Sequence, residues 1–203
     1  MPTETELAAP MDGRTARAVR TKDAIVEACL ALIDEGDLRP TGPRIAERAG
    51  VSVRSIFQHF DDLDALFGAV GEKVAQRLAG LIAHIDPTGP LEERIDAFVL
   101  QRTEVLEAVT PVLRAALVYA ASSEEIRRQF DDGHRFFGDQ VDQTFAPELA
   151  AAPEPDRLRD ALVVASSWPA WDLLRGPEGR SVEEARASVA KLVRAALEAP
   201  AKG

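Results

Sequence analysis

The amino-acid sequence predicts an all-α fold. Almost every apolar residue after residue 14 recurs at helical spacing, and no segment shows the two-residue alternation of a half-buried strand. Ser, Thr and Asp residues stand where these periodic segments begin, and Gly or Pro residues stand where they end, as helix caps and stops do. The chain of 203 residues is long enough for one large helical domain or two small ones.

The first three predicted helices are close together in the sequence. Thr41 is the expected cap of the second helix, a turn at 49–51 follows, and Ser52 is the expected cap of the third helix. The third helix directs Ile56 and Phe60 inward, because these residues are four positions apart. The apolar face of the first helix is formed by Ile25, Ala28, Cys29, Leu32 and Ile33.

A long fourth helix is predicted to join two domains. Asp61 or Asp62 caps it, its apolar stripe continues to Ile85, and DPTGP (86–90) breaks the chain. Further helices of the same kind follow this break. The expected boundaries are a break at Pro111, a capping box of Ser122 and Glu125, a helix over about 156–175, and a last helix over 181–198 that begins with the box of Ser181 and Glu184.

Composition excludes several classes of protein. No apolar run approaches the roughly 18–20 residues of a membrane span. The single cysteine, Cys29, excludes an internal disulfide framework and indicates a reducing compartment, so we expect a cytoplasmic protein. Residues 1–17 are predicted to form a disordered arm. Asp131, Asp132 and His134 do not indicate a metal site, because a second histidine at helical spacing is missing. No set of residues indicates a cofactor or a catalytic nucleophile with its base and acid.

The negative charge of the chain is concentrated away from its first 60 residues. The formal net charge is -10, yet residues 11–60 carry eight Lys and Arg against seven Asp and Glu. Residues 61–203 carry 16 basic against 25 acidic side chains. Because phosphate contact depends on local charge, the acidic composition does not exclude a nucleic-acid partner for the N-terminal segment.

Residues 41–60, TGPRIAERAGVSVRSIFQHF, have the pattern of a helix–turn–helix unit. At about 100° per residue, Arg54 and Gln58 lie opposite the inward Ile56 and Phe60. Arg and Gln are suited to reading guanine and adenine edges, respectively. The predicted DNA-contacting residues, which include phosphate-binding candidates at the start of the second helix, are Arg20, Thr41, Arg44, Ser52, Val53, Arg54, Ser55, Phe57, Gln58 and His59.

Residues from about 18 to 78 resemble the DNA-binding domain of the TetR family of transcriptional regulators. The matching segments are AIVEACLALIDEG, the 41–60 unit and DDLDALF. The resemblance implies about nine helices, which form a DNA-binding domain over 18–78 and a helical ligand-binding and dimerisation domain over 79–203. Two positions depart from the family pattern. Phe57 stands where Tyr is common, and Leu63 stands where Lys is common, so two phosphate contacts are lost.

The resemblance also implies partners. We expect a homodimer that pairs through the helices at about 156–175 and 181–198, binds a palindromic operator, and is released by a small, largely apolar ligand. The expected pocket residues are Phe98, Arg102, Leu106, Tyr119, Phe137 and Trp168. Trp168 and Trp171 fill either the core, the dimer interface or a pocket wall. The alternative function is a small-molecule-binding helical protein or an enzyme, with an idle helix–turn–helix unit.

Overall fold

All regular structure in the described part of the chain is helical. The computed structural model describes residues 13–120 and 123–198, which form ten α-helices and one 3-10 turn. The first six helices are α1 (Gly13–Asp34), α2 (Gly42–Ala49), α3 (Val53–His59), α4 (Leu63–Leu78), α5 (Leu91–Ala120) and α6 (Glu124–Thr144). The last four are α7 (Ala146–Ala151), α8 (Pro155–Ala165), α9 (Trp168–Arg175) and α10 (Val182–Glu198). The predicted all-α fold is confirmed.

None of the helices within 13–120 and 123–198 is long and apolar enough to cross a membrane. The helix α1 begins at Gly13, so the end of the predicted disordered arm, residues 13–17, is helical. Residues 1–12 of that arm lie outside the described residues.

The N-terminal helices pack as the sequence predicts. Ile25, Ile45 and Ile56 are fully buried where α1, α2 and α3 meet. Gly50 ends α2 with φ of 67°, a left-handed conformation that Gly adopts without a Cβ clash. The Ser52 hydroxyl accepts a hydrogen bond from the Ser55 N–H at 3.1 Å and thereby caps α3. The caps and the apolar core together fix the angle between α2 and α3.

The helix α4 is shorter than predicted. The Asp62 carboxylate caps it by accepting from the Ala65 N–H at 2.8 Å, but the α-helix ends at Leu78 rather than at Ile85. A 3-10 turn covers Ala79–Leu81, and the following chain is extended. Its Ala83 N–H donates to the Gln101 side chain at 2.7 Å, which satisfies the backbone without a further helical turn.

The predicted break at Pro111 is wrong, because α5 continues through this residue. Pro111 cannot donate to the carbonyl of Glu107 and would disfavour an isolated helix. Both adjoining turns are held by tertiary packing, since Leu106 and Ala115 are fully buried. Packing of this kind overrides local helix preference.

The predicted single helix over 156–175 is also wrong, because the structure divides it into α8 and α9. Ser167 lies at the junction, and its hydroxyl accepts from the Ala170 N–H at 3.4 Å as the cap of α9. Pro169 therefore occupies the first turn of a new helix, where the missing N–H costs little.

The other predicted capping boxes have different outcomes. The Ser181 hydroxyl accepts from the Glu184 N–H at 3.1 Å, and the Glu184 carboxylate accepts from the Ser181 N–H at 2.8 Å, which confirms that box. At the start of α6 the cap is Ser123 rather than Ser122, because the Ser123 hydroxyl accepts from the Ile126 N–H. Ser122 lies outside the described residues.

Two apolar clusters form the core. The first cluster joins α1–α4 with Ala115 of α5 and Ile126 of α6. The second cluster joins α5, α6, α8, α9 and α10 around Phe98, Leu162 and Trp171. Because α5 and α6 contribute to both clusters, the N-terminal helices have no complete core of their own.

A buried ion pair fixes α5 to the short α7. The Arg94 guanidinium contacts the Glu148 carboxylate at 2.5 Å, and it also donates to the Thr144 carbonyl at 2.7 Å. The hydrogen bonds that the Arg94 guanidinium donates to the Glu148 carboxylate lower the pKa of Glu148 and raise the pKa of Arg94. A pair of this kind is costly to break from one side, because the remaining charge stays buried.

We expect Glu148→Gln to lower the free energy of unfolding at pH 7 by about 1–2 kcal/mol. A carboxyl group whose pKa is lowered by folding stabilises the protein above its unfolded pKa of about 4.3, and this contribution is lost as the pH falls. The difference between the two proteins should therefore shrink below about pH 4. Urea unfolding at several pH values tests this, with Glu104→Gln, an exposed position on α5, as the control.

Candidate nucleic-acid interface

The helix α3 presents one apolar face to the core and one mixed face to solvent. Ile56 is fully buried, whereas Val53, Arg54, Phe57 and Gln58 are exposed. The arrangement follows from helical geometry, because residues two positions from Ile56 point away from the core. The guanidinium and the amide therefore stand on the surface, in the geometry that the sequence predicts.

A shallow depression connects α3 to the beginning of α1. Arg17, Ala18 and Thr21 of α1 form one side, and the other side consists of Val51, Ser52, Ser55, Gln58 and His59. Four of the predicted DNA-contacting residues thus share this surface. Arg14, Arg17, Arg20 and Lys22 form a basic run without an acidic residue, and Arg20 is the predicted DNA contact within it. The structure places Arg17 beside α3, whereas Arg20 is exposed outside the depression. Arg17 and Thr21 are four residues apart and therefore lie on the same face of α1. This spacing is the sequence signal for the face that borders α3.

The beginning of α2 carries the other predicted phosphate contacts. Thr41 is the N-cap residue in extended conformation, and its side chain makes no capping hydrogen bond. Arg44 is exposed, and its guanidinium is paired with Asp37. The backbone N–H groups of the first turn point outward along the helix axis, where the dipole favours an anion.

Intramolecular ion pairs distribute the charge of the N-terminal helices. Glu35 pairs with Arg48, Lys73 contacts Asp23 at 2.5 Å, and Arg77 pairs with Glu27. The Arg77 and Lys73 contacts lower the pKa of Glu27, and the Arg48 contact lowers the pKa of Glu35. These ion pairs therefore favour the charged form of both carboxylates. Within residues 13–120 and 123–198, by contrast, Arg17, Arg20 and Arg54 make no ion pair with an acidic side chain. Of these three cations, Arg17 borders the depression beside α3 and Arg54 lies on α3 itself.

The two departures from the family pattern have different structural roles. Leu63 is half-buried and packs against the first apolar cluster, so its side chain contributes to the attachment of α4. The Phe57 ring is half-exposed and stands on the outer face of α3. Leu63 therefore replaces a phosphate-pairing charge with packing, whereas Phe57 replaces a polar contact with an exposed apolar surface.

An apolar cavity of about 570 Å³ adjoins the N-terminal helices. Its walls come from α1, α4, α5 and α6, and the contributing side chains include Phe67, Val70, Leu78, Val109, Leu113 and Phe136. Glu72, Gln129 and Asp132 are the polar side chains among the lining residues, and Asp132 is paired with Arg135. The volume and the apolar lining suit a small, largely apolar molecule.

Of the six predicted pocket residues, the structure places only Phe137 in the cavity wall. Phe98 and Leu106 are buried in the second apolar cluster, where neighbouring side chains enclose them. The Tyr119 ring packs on Phe67, with ring centroids 4.2 Å apart. Trp168 is half-buried, and its indole N–H donates to the Thr110 hydroxyl at 3.2 Å. Core packing rather than a pocket accounts for these residues.

Arg102 is a buried cation behind the cavity wall. Its side chain lies between the rings of Phe98 and Phe137, with its guanidinium carbon 4.8 and 4.4 Å from their centroids. The guanidinium donates to the carbonyls of Ser166 and Phe137, and burial lowers the pKa of Arg102 to about 9. Arg102 therefore ties α5 to α6 and to the end of α8, and it does not line the cavity.

The two tryptophans also belong to the second apolar cluster. Trp171 is fully buried, and its indole N–H donates to the Glu107 carboxylate at 3.0 Å. The same carboxylate pairs with Arg175 at 2.8 Å, and the Arg175 and Trp171 hydrogen bonds lower the pKa of Glu107. Neither tryptophan is among the residues that line the cavity.

One polar contact joins the cavity wall to α4. The Gln129 amide donates to the Gly68 carbonyl at 3.2 Å, and Gln129 itself lines the cavity. A Cβ added at Gly71 would lie 2.5 Å from the Gln129 oxygen, so the amide packs directly on the α4 backbone. The pair of glycines thus permits α6 to approach α4 closely on the side that faces the cavity.

Comparison with known proteins identifies the N-terminal segment. Residues 21–70 match the family model described as bacterial regulatory proteins, tetR family. No curated protein matches the chain. The matched segment contains all of α2 and α3, most of α1 and the first half of α4.

Solved structures show the same fold over most of the chain. The chain is similar to a transcriptional regulator from Rhodococcus sp. Rha1, with a TM-score of 0.68, 17% identity, and coverage of 89% of this chain and 96% of that one. A TetR transcription regulator from Haloarcula marismortui ATCC 43049 has a TM-score of 0.64 and 16% identity, with 87% and 98% covered. The multidrug binding protein EbrR, complexed with imidazole, has a TM-score of 0.55 and 19% identity over the whole of both chains.

We expect Arg54→Ala and Gln58→Ala each to weaken binding of the preferred duplex by about 1–3 kcal/mol and to relax sequence choice at one base position. Arg17→Ala should weaken all duplexes equally and reduce the salt slope by about one unit, because it removes a phosphate contact. Fluorescence anisotropy over a salt series measures both effects. Arg128→Ala, an exposed residue on α6, is the control, and an identical effect of all four substitutions would contradict the assignment.

Proposed function

Because residues 21–70 match the family model described as bacterial regulatory proteins, tetR family, we propose that this chain is a regulator of that family and that it represses transcription as a homodimer bound to a palindromic operator. Proteins of this family bind DNA and are not enzymes, so the match favours a DNA-binding transcriptional regulator over the enzyme alternative. We further propose that a small, largely apolar ligand in the cavity releases the operator. A regulator of this kind acts on DNA in the cytoplasm.

The position of the cavity supports ligand control. Ile33 of α1 and Phe67, Val70 and Leu78 of α4 all line it, and these helices also hold α3. A molecule that occupies the cavity therefore contacts the same helices that position the proposed DNA-reading surface, which is the exposed face of α3 with Arg54 and Gln58. This shared wall is the observation on which the proposed regulation rests.

Exposed apolar side chains support pairing through α8 and α10. Val164 of α8 is 66% exposed and Leu192 of α10 is 50% exposed. Two copies related by a twofold axis would bury these residues against each other in an isologous four-helix interface. The two α3 helices would then enter successive major grooves, which requires a separation of about 34–36 Å.

Ligand binding acts on DNA affinity through the spacing of the two α3 helices. A ligand weakens operator binding only to the extent that it prefers the spacing that does not fit DNA. Coupling free energies of this kind are typically 1–3 kcal/mol, or about 5–150-fold in affinity. Since α4 lines the cavity and follows α3 directly, the proposal is that the ligand displaces α4 and thereby changes the spacing of the two α3 helices.

Selection of bound duplexes from a random pool by the purified protein tests the proposal. Recovery of a palindrome with half-sites one helical turn apart would support a dimeric operator-binding protein. A pool that stays random at about 0.15 M salt would contradict it and would favour the alternative of a small-molecule-binding protein with an idle helix–turn–helix unit.

We expect Leu192→Glu to convert the dimer into monomers, because a carboxylate at the centre of an apolar interface cannot be desolvated without a partner. Operator affinity should fall when the dimer dissociates, since the single α3 helix of a monomer contacts only one half-site. Analytical ultracentrifugation measures the mass, and the circular dichroism spectrum should stay unchanged. Leu81→Glu replaces an equally exposed leucine outside α8 and α10 and should leave the dimer intact.

We expect Val109→Trp to fill the cavity and to abolish binding of the neutral fluorescent probe N-phenyl-1-naphthylamine. The wild-type protein should enhance the fluorescence of this probe, because the cavity excludes water from it. Val118→Trp is the matched control, because Val118 is exposed on the same helix and does not line the cavity. Equal probe binding by both variants would show that the probe binds elsewhere.

A further inference from the structure

The outer face of α3 carries an apolar pair beside its polar ridge. Val53 is 38% exposed and Phe57 is 50% exposed, and the two residues are one helical turn apart. Neither side chain has a hydrogen-bonding group, so neither can bind a phosphate or a base edge through a polar contact. Their exposure is therefore unexplained by the base-reading role of Arg54 and Gln58.

The packing of α2 locates this pair on the DNA-facing surface. A Cβ added at Gly42 would lie 3.8 Å from the Val53 Cγ1 atom and 4.0 Å from the Phe57 ring, so the beginning of α2 abuts both side chains. On the other side, Phe57 is about 60° from Arg54 around the α3 axis. The apolar pair thus lies between the phosphate-facing end of α2 and the ridge that reads base edges.

One group in the major groove has matching chemistry and position. The C5 methyl of thymine is the apolar group that B-DNA presents there, and Phe side chains are among those that contact it. The methyl projects from the side of the base that is nearer to its own sugar–phosphate backbone. A side chain between a phosphate anchor and the base-reading residues is therefore in the position to meet it.

We propose that Val53 and Phe57 recognise thymine methyl groups, and that each operator half-site carries a thymine next to the base pair contacted by Arg54. The inference rests on the proposed operator binding through α3. It adds a specificity that Arg54 and Gln58 do not supply, because neither of these side chains distinguishes thymine from uracil. It also assigns a role to the Phe at position 57, which cannot donate to phosphate.

Replacement of single thymines by deoxyuridine in the selected duplex tests the inference. Deoxyuridine keeps the Watson–Crick pairing and removes only the methyl group. Loss of one buried methyl, worth about 0.8 kcal/mol, corresponds to an affinity about fourfold weaker, and substitution in both half-sites to an affinity roughly 14-fold weaker. Deoxyuridine in the flanking sequence should have no effect.

Protein variants show which side chain is responsible. Phe57→Ala should bind thymine and deoxyuridine duplexes equally, because the contact is already lost. Phe57→Tyr should keep the preference for thymine and increase the affinity for all sequences, since the added hydroxyl donates to phosphate. Thermal unfolding followed by circular dichroism checks that both variants fold, as expected for a half-exposed position.

The outcomes separate this inference from the proposed function. A selected palindrome without any thymine-to-uracil penalty, or with the same penalty in Phe57→Ala, would overturn thymine recognition and leave operator binding intact. Failure to select any sequence would overturn the proposed function itself and the inference with it. A penalty that disappears in Phe57→Ala supports the inference.

Discussion

The arrangement of this protein depends on the apolar packing of α4 against α5 and α6. The core beneath α1–α3 is completed by Ala115 and Ile126, which belong to the second half of the chain. Phe67 of α4 stacks on Tyr119 of α5 and continues this contact. The helices α1 and α2, on which α3 packs, therefore share their core with α5 and α6. In the proposed mechanism, a change in the packing of this core would be transmitted to α3.

The cavity interrupts this packing between α4 and the helices α5 and α6. Protein interiors are close-packed, so an apolar space of this size reduces the contact between these helices and leaves room for a small molecule. Ile33 and Phe67 are members of the first apolar cluster and also line the cavity. A bound molecule would thus become part of the same core that holds α3 in position.

The local features of the helix–turn–helix unit could be predicted from the sequence, because they depend on short-range geometry. Ser52 as a cap, Gly50 in a left-handed turn and Ile56 opposite Arg54 follow from rules that act within one or two helical turns. The continuity of α5 through Pro111 could not be predicted, because the turns on both sides are held by distant side chains. Local rules predict helix caps better than they predict the response of a helix to tertiary packing.

The cavity residues could not be predicted for a related reason. Leu106 and Val109 lie on the same side of α5 and have the same apolar character, yet Leu106 is enclosed by the second cluster and Val109 borders the cavity. Periodicity identifies the buried face of a helix but does not show where the opposing helices separate. Arg17 illustrates the same limit on the surface, because only the fold shows which residues of a basic run stand beside α3.

The contact of Gln129 with α4 explains why a molecule in the cavity would affect α4 in particular. The Gln129 amide rests on the backbone at Gly68 and Gly71, where a larger residue would hold the two helices apart. The same side chain lines the cavity, so it is within reach of any molecule bound there. Because the hydrogen bond to Gly68 is a polar contact beside an apolar space, displacement of the amide would leave the Gly68 carbonyl without its side-chain donor and would loosen α6 from α4. Since α4 follows α3 after only a short turn, the helix that would respond first to the ligand is the one attached to the DNA-reading surface.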